Sequence, residues 1–202
     1  MNSIKHSFRI GLILVVLMPY IAGCTSAPSP HPTPPVVAPN TPHASFVLPA
    51  LDDPAQRTYL GIETTGAFQL ADIRTQVLII EAFSMYCPHC QREAPNVNNL
   101  YRSISADPYL RNRIKLIGIG VSNTTYEVNQ FRTSFEVPFP LFPDRSRDIA
   151  RQLTVRQTPT FIGFVWENGT PRQFLHAPGS IGKVDEFLAR VVRLAGLEDS
   201  QP

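Results

Sequence analysis

The chain has 202 residues, of which 43% are hydrophobic and 17% are charged, and its formal net charge is +2. This length and composition suit one globular domain with a hydrophobic core. The near balance of basic and acidic residues excludes the strongly basic field that binding to nucleic acid requires.

Residues 1–23 have the pattern of a secretion signal. Lys5 and Arg9 precede an apolar run, residues 10–20, which is too short to cross a bilayer comfortably as a helix. Small residues then precede Cys24 in the stretch "IAGC", which resembles a bacterial lipobox. The resemblance implies that Cys24 is lipidated and attaches the chain to a bacterial membrane, with the rest of the protein facing the periplasm or the cell exterior.

A proline-rich segment follows the predicted lipid anchor. Seven of the 16 residues at positions 27–42 are proline, which fixes φ and removes an amide donor, so an extended spacer is expected. We therefore assign residues 24–55 to the lipidated cysteine and a linker, and residues 56–202 to a folded domain. The first packed residues are expected between positions 46 and 64.

Beyond the linker, predicted strands and helices alternate. The predicted strands are residues 76–83, 114–121, 139–142, 160–166 and 172–177. The predicted helices are residues 91–105, 126–135, 147–153 and 184–197. A βαβ order that ends in a hairpin and a helix predicts an α/β fold, with a central mixed sheet and helices on both of its faces.

Two of the three cysteines lie in the stretch "SMYCPHCQREAP", residues 84–95. Cys87 follows a buried strand and opens a helix, whose unpaired amides and partial positive charge lower the pKa of a thiol. Pro88 suits the first helical turn, where its missing amide proton costs nothing. Cys90, one turn further on, is placed to attack a mixed disulfide at Cys87. The pattern indicates a redox centre.

Other chemistries of a cysteine pair fit the residues less well. Covalent haem attachment needs a histidine directly after the second cysteine, where this chain has Gln91. A structural zinc site needs four ligands, and the domain offers only Cys87, Cys90, His89 and the distant His176. A disulfide across two intervening residues closes too short a loop to be an effective structural staple. We therefore predict no metal site.

Four segments of the chain together resemble the thioredoxin-fold superfamily, and within it the membrane-tethered TlpA/ResA-like thiol–disulfide oxidoreductases. The segments are "IIEAFSMYCPHCQREAP", "FEVPFPLFPD", "VRQTPTFIGF" and "GSIGKVDEFL". The resemblance covers about residues 68–197. It implies a thioredoxin fold and disulfide exchange with extracytoplasmic proteins without a cofactor, in disulfide reduction for cytochrome c maturation or in disulfide formation. It also implies a redox partner that recycles the pair.

The resemblance assigns roles to individual residues of this chain. Cys87 is the attacking thiol and Cys90 the resolving thiol, and the two form a reversible disulfide. Glu81 corresponds to a buried acid that exchanges a proton with the resolving thiol. Pro159 corresponds to a cis-proline beside the cysteines, preceded by Thr158, whose backbone pairs with the bound polypeptide.

The residues that tune the redox pair give opposing signals about the direction of electron flow. Between the cysteines, Pro88 is followed by His89, whose imidazole would stabilise the Cys87 thiolate and make the disulfide a better oxidant. Glu93, like Glu81, would oppose formation of the thiolate and favour a reductant. The direction stays open at this point.

Two other functions on the same fold also stay open. A copper-binding or chaperone module would bind the metal through Cys87 and Cys90. A peroxiredoxin-like peroxidase would carry proline and threonine seven and three residues before the reactive cysteine. This chain has Ile80 and Ser84 at those positions.

Overall fold

The computed structural model of the protein describes residues 45–167 and 169–198. The predicted signal peptide, Cys24 and the proline-rich run at positions 27–42 lie outside the described residues. Within the part of the chain that the structure describes, no helix combines the length and the apolar character that a membrane crossing requires.

Strands in the described residues form a two-stranded sheet and a five-stranded sheet. The strands are β1 (Val47–Leu48), β2 (Phe68–Gln69), β3 (Val77–Phe83), β4 (Ile114–Val121), β5 (Leu141–Asp144), β6 (Thr160–Glu167) and β7 (Thr170–Pro178). The larger sheet has the order β5-β4-β3-β6-β7. β3, β4 and β5 are parallel, whereas β6 is antiparallel to both β3 and β7. The predicted mixed sheet is confirmed.

Helices cover both faces of this sheet. They are α1 (Pro54–Leu60), α2 (Pro88–Ala106), α3 (Thr125–Ser134), α4 (Asp148–Gln152) and α5 (Val184–Leu194). The buried apolar side chains of α2, α3 and α5 belong to one hydrophobic cluster, and those of α1 and α4 belong to a second cluster on the opposite face. The helices predicted on both faces are therefore present.

The central strand β3 sets the position of the candidate site. All seven of its residues are buried, because β4 and β6 pair with its two edges and helices cover its faces. Successive side chains of a strand point to opposite faces, so Glu81 shares a face with Ile79 and Phe83, which pack in the α2 and α5 cluster. β3 thus directs one carboxyl group into the apolar layer beneath α2.

Two element ends differ from the sequence prediction. The strand predicted at residues 139–142 runs two residues later as β5, and its position at the edge of the sheet accommodates Pro143, which lacks an amide proton. The last helix ends at Leu194 because Gly196 adopts a left-handed φ of 69°. The amide of Leu197 then donates to Val192 O at 3.0 Å, which closes the helix end.

The packed part of the chain begins earlier than residue 56. Phe46, Leu48 and Leu51 are buried in the cluster that contains α1, and Leu70 N donates to Phe46 O at 3.2 Å. The C-terminal end of the segment assigned to the linker is thus part of the folded unit.

Candidate active site

Cys87 caps the N-terminus of α2. Its Sγ accepts a hydrogen bond from Cys90 N at 3.2 Å, and Pro88 occupies the first helical position. The thiol is partly exposed. Partial burial raises the pKa of the Cys87 thiol, but hydrogen bonds with Cys90 and Thr158 and with the backbone amides of Cys90 and His89 lower it by more, so the pKa lies below its ordinary value. The helix start therefore stabilises a thiolate at the protein surface.

Cys90 has the opposite environment. Its side chain is fully buried beneath Cys87, in the cluster that contains α2. Burial, and then the hydrogen bond with Cys87, raise the pKa of the Cys90 thiol far above its ordinary value. Both cysteines are free thiols in this structure, so their disulfide stays a prediction. The pair combines an accessible, acidic thiol with a buried, protonated one.

The loop before Cys87 is held by a residue that the sequence analysis did not identify. The Oδ1 atom of Asn123, which is completely buried just after β4, accepts a hydrogen bond from Met85 N at 2.8 Å. From the other side, Gln91 Nε2 donates to Met85 O at 2.7 Å. Asn123 follows a buried strand, and parallel strands end at the same edge of the sheet. Its position just after β4 was therefore the feature of the sequence that could have identified it.

The segment before β6 faces the cysteines. The peptide bond between Thr158 and Pro159 is cis, as the resemblance predicted. Cys87 Sγ donates to Thr158 O at 3.3 Å, so this carbonyl lies directly against the reactive sulfur. Gly179 N donates to Pro159 O at 2.8 Å and ties the segment to the loop after β7. The fold brings Thr158 and Pro159 to Cys87 across 71 residues of sequence.

Glu81 is buried on β3, beneath the cysteine pair, and only 2% of its surface is exposed. Within the described residues, its Oε1 atom has no hydrogen-bond partner. Burial, followed by the negative charges of Glu93 and of the Cys87 thiolate, raises the pKa of the Glu81 carboxyl to about 8. Glu81 therefore gains or loses a proton near neutral pH, in step with the charge on Cys87.

Glu93 lies on α2, one turn after Cys90, and it is also buried. Its Oε1 atom accepts hydrogen bonds from Ile181 N at 3.0 Å and from Asn96 Nδ2 at 3.1 Å. These bonds join α2 to the loop that follows β7. Glu93 thus stands at the active site, and its charge acts on Glu81.

His89 is exposed, and its imidazole contacts Arg92. Arg92 Nη2 lies 2.9 Å from His89 Nδ1. A guanidinium group only donates hydrogen bonds, so Nδ1 is the acceptor in this contact. The stabilisation of Cys87 by His89 comes from the backbone amide. The effect of the His89 imidazole on the redox pair stays a prediction.

Two depressions meet at Thr158. The first, which we call the glutamate cleft, has a volume of about 510 Å³. Its lining includes His89, Arg92, Glu93, Thr158, Pro159 and Gly179. The second, on the side of Ser84 and Arg156, has a volume of about 220 Å³. An extended chain lying along Thr158 would enter both depressions.

The described residues contain no group of three or more His, Cys, Asp or Glu side chains arranged to hold a metal ion. His176 lies on β7, paired with Ile162 of β6, and its Nε2 atom is buried without a hydrogen-bond partner in the described chain. The structure thus places His176 in the sheet, apart from the residues that surround Cys87.

Comparison of the sequence with known protein families and proteins identifies the family of the chain. The model of the AhpC/TSA family matches residues 49–182. The chain is 25% identical over 117 residues to a thiol-disulfide oxidoreductase ResA of Geobacillus kaustophilus, a match that covers 58% of this chain and 63% of the relative. The chain therefore spans about three fifths of the length of the curated relatives it matches first.

Solved structures support the fold. A secreted Mycobacterium tuberculosis disulfide oxidoreductase homologous to DsbE of E. coli superposes with a TM-score of 0.52 and 18% identity, covering 73% of this chain and 95% of that one. The thioredoxin domain of a Bacteroides vulgatus thiol-disulfide oxidoreductase gives 0.56 at 9% identity, covering 77% and 99%. The predicted thioredoxin fold is confirmed.

The two thiols should differ sharply in reactivity. With iodoacetamide, we expect Cys87 to be alkylated with a pH midpoint below about 8.5, the ordinary value for a thiol, because the start of α2 stabilises its thiolate. Cys90 should stay unmodified in the folded chain because it is buried and its pKa is raised. Peptide mass mapping after each reaction identifies the modified residue. Equal rates at the two cysteines would contradict this description of the site.

The raised pKa of Glu81 predicts a distinctive dependence of stability on pH. Between pH 4.5, its ordinary pKa, and about pH 8, the folded chain retains a proton that the unfolded chain has lost. The free energy of unfolding therefore falls with rising pH, by about 1.4 kcal/mol per pH unit from this group. In Glu81→Gln this loss is absent, so its stability relative to the natural chain should rise by about 4 kcal/mol between pH 4.5 and pH 8.

Urea unfolding at several pH values measures this difference, and any constant cost of the buried amide cancels between two pH values. Glu127→Gln is the matched control. Hydrogen bonds from Thr124 lower the pKa of the Glu127 carboxyl, so its contribution to stability is present at neutral pH and is lost as the pH falls. The stability of this variant relative to the natural chain should stay nearly constant between pH 4.5 and pH 8, and should rise only as the pH falls below 4.5. A stability difference for Glu81→Gln that does not change with pH would show that the carboxyl titrates normally.

Proposed function

The chain belongs to the AhpC/TSA family, and we propose that it is a protein thiol–disulfide oxidoreductase that acts on extracytoplasmic proteins through the Cys87–Cys90 pair. The observation that carries the proposal is the contrast between the two thiols. Cys87 is accessible with a lowered pKa, whereas Cys90, one helical turn away, is buried with a raised pKa. The ResA name of the curated relatives supports the same reaction class.

The proposed reaction consists of two exchanges. The Cys87 thiolate attacks one sulfur of a substrate disulfide, forms a mixed disulfide and displaces the other substrate sulfur as a thiolate. Cys90 loses its proton and attacks Cys87 Sγ, which releases the second substrate thiolate and leaves the Cys87–Cys90 disulfide. Two electrons pass to the substrate in the cycle, and a separate redox partner restores the dithiol.

Glu81 is the proposed acceptor of the Cys90 proton. A buried thiol with a raised pKa needs a nearby base before it can attack, and solvent does not reach it. Glu81, with a pKa of about 8, is ionised in part of the population at neutral pH and lies under the same pair. Because the Cys87 thiolate raises the pKa of Glu81, consumption of that thiolate in the mixed disulfide makes the carboxyl more acidic. The reverse step returns the proton.

Thr158 and Pro159 are the proposed binding edge for the substrate polypeptide. Thr158 O lies against Cys87 Sγ, so a chain paired with this backbone presents its own sulfur to the nucleophile. The glutamate cleft and the second depression continue this edge on its two sides. Disulfide-containing or thiol-containing proteins are thus the proposed substrates, and nucleic acid is not a proposed partner.

Of the two directions of electron flow, we propose that the chain reduces its substrate, as in the disulfide reduction of cytochrome c maturation. The oxidant alternative depended on stabilisation of the Cys87 thiolate by the His89 imidazole, whereas His89 acts on Cys87 through its backbone amide and its ring lies beside Arg92. Two buried acids, Glu81 and Glu93, lie around the pair instead. A carboxylate at Glu93 opposes the thiolate form, which limits the stabilisation of the dithiol that the start of α2 provides and so favours a reductant.

We further propose that the chain works outside the cytoplasm as a lipoprotein. The signal pattern of residues 1–23, the lipobox at Cys24 and the proline-rich spacer support this location. The lipid on Cys24 would be the membrane anchor, and the spacer would hold the domain away from the bilayer.

Peroxide reduction is the second candidate, because the AhpC/TSA family and the peroxiredoxin-like alternative share this fold. Ile80 replaces the proline expected seven residues before the reactive cysteine, and it is buried in the cluster on the α1 face of the sheet. The side chain of Ile80 therefore points away from Cys87, and we favour disulfide exchange.

A trapping experiment tests the exchange mechanism. Cys90→Ser, incubated with a synthetic peptide closed by one disulfide, should accumulate a covalent adduct at Cys87, because no second thiol resolves it. The natural chain should hold far less adduct and release the reduced peptide instead. Mass spectrometry after acid quenching measures both species.

Cys87→Ser is the control variant, and it should form no adduct because Cys90 is buried. An adduct on Cys87→Ser, or equal adduct in the natural chain and in Cys90→Ser, would contradict the assigned roles. Hydrogen peroxide consumed faster than the peptide disulfide would establish the peroxidase in its place.

A further inference from the structure

The second depression beside Thr158 has an unusual charge. We call it the arginine groove, the surface lined by Ser84, Ser122, Arg147, Arg156 and Thr158. Arg147 and Arg156 are both exposed, and within the described residues neither side chain makes a hydrogen bond or an ion pair. Two uncompensated positive charges therefore lie in one small groove.

The acidic residues closest to Arg147 in the sequence bind other partners. The buried Asp144 carboxylate accepts hydrogen bonds from Ile149 N at 3.2 Å and Ala150 N at 2.8 Å, at the start of α4. Asp148 pairs with Arg151. Neither carboxylate forms an ion pair with Arg147 or Arg156.

Glu127, at the start of α3, is also engaged. It accepts hydrogen bonds from Thr124 N at 2.6 Å and from the hydroxyl of Tyr86, and it interacts with the charge of Arg145. Within the described residues, Arg147 and Arg156 thus have no ion-pair partner, in a chain whose basic and acidic residues nearly balance.

The backbone of the groove is held in an uncommon conformation. Ser122 and Arg147 have left-handed φ values of 58° and 62° although neither is glycine. The amides of both residues donate to the same carbonyl, Asp144 O, at 2.9 and 3.1 Å. Such conformations persist where surrounding structure enforces them and cluster at functional sites. The backbone conformation of the groove is therefore fixed by the surrounding fold.

The arginine groove is continuous with the reactive sulfur. Thr158 O accepts from Cys87 Sγ at 3.3 Å, and Ser84 O accepts from Cys87 N at 3.1 Å. A polypeptide that pairs with Thr158 and presents its sulfur to Cys87 would therefore place its neighbouring side chains in the groove.

We propose that the preferred substrates are polypeptides with aspartate or glutamate close to the reacting cysteine, whose carboxylates bind Arg147 and Arg156. This inference rests on the proposed function and specifies its substrate class. A guanidinium group matches a carboxylate in charge and geometry. Because the groove is open to solvent, the effect falls mainly on the rate of association and weakens with salt.

The test compares two synthetic peptides, each closed by one disulfide, that differ only in flanking aspartates or asparagines. The full chain is first reduced, so one turnover converts its dithiol to the Cys87–Cys90 disulfide and the peptide disulfide to two thiols. At low ionic strength the aspartate peptide should be reduced roughly three- to tenfold faster. The advantage should disappear at high salt.

The double variant R147Q/R156Q should reduce the two peptides at equal rates. The matched control is R102Q/R111Q, which removes the same charge from exposed residues near the C-terminal end of α2, at the opposite end from Cys87. The control should keep the full advantage of the aspartate peptide. Reduction of the asparagine peptide shows that each variant is folded.

The outcomes separate this inference from the function on which it rests. Equal rates for the two peptides with the natural chain would overturn the substrate preference and leave the oxidoreductase intact. The same loss of preference in R102Q/R111Q would assign it to net charge and overturn the role of the groove. Failure of the natural chain to reduce either peptide would refute the proposed disulfide reduction, on which this inference rests.

Discussion

The position of Cys87 at the start of α2 is the constraint on which the rest of the site depends. The helix can stabilise the thiolate only if its first amides are unpaired and aimed at the sulfur, and Cys90 N meets this condition at 3.2 Å. The order of the sheet then brings the other groups to the same sulfur. Because β3 is central, the carboxyl ends of β3 and β4 and the start of β6 meet at one edge, which places Asn123 and Thr158 beside the cysteine loop.

The same strand that presents Cys87 also carries a carboxyl group into the core. An apolar residue at Glu81 would suit a strand that is buried on both faces, so the acid costs stability at neutral pH. Glu81 lies under two thiols whose pKa values are shifted in opposite directions. We propose that proton exchange with these thiols is the function of this destabilising carboxyl. The proton leaves the buried thiol only when a base is present, and we propose that Glu81 is this base.

The sequence predicted those features of the fold and site that depend on local pattern or on a shared motif. Buried apolar runs located β3 and β4, the spacing of the cysteines placed Cys87 at a helix start, and the motif around Pro159 predicted the cis bond. The partners of these residues were harder to predict, because they come from distant segments. Asn123 reads as an ordinary loop residue until β4 brings it to Met85, and the isolation of Arg147 appears only when the bonds of Asp144 and Asp148 are known. The contact between His89 and Arg92 was also hard to predict, because it is a side-chain contact that spacing alone does not specify.

The central proposal is that the Cys87–Cys90 pair reduces its substrates, a direction favoured by the two acids buried beside it, Glu81 and Glu93. The most direct test is the reduction potential of the Cys87–Cys90 couple in the full chain, measured by equilibration with thiol–disulfide buffers and quantitative alkylation. The account predicts a reducing potential close to the roughly −270 mV of thioredoxin. A value close to the roughly −120 mV of DsbA would contradict it and would make the chain an oxidant.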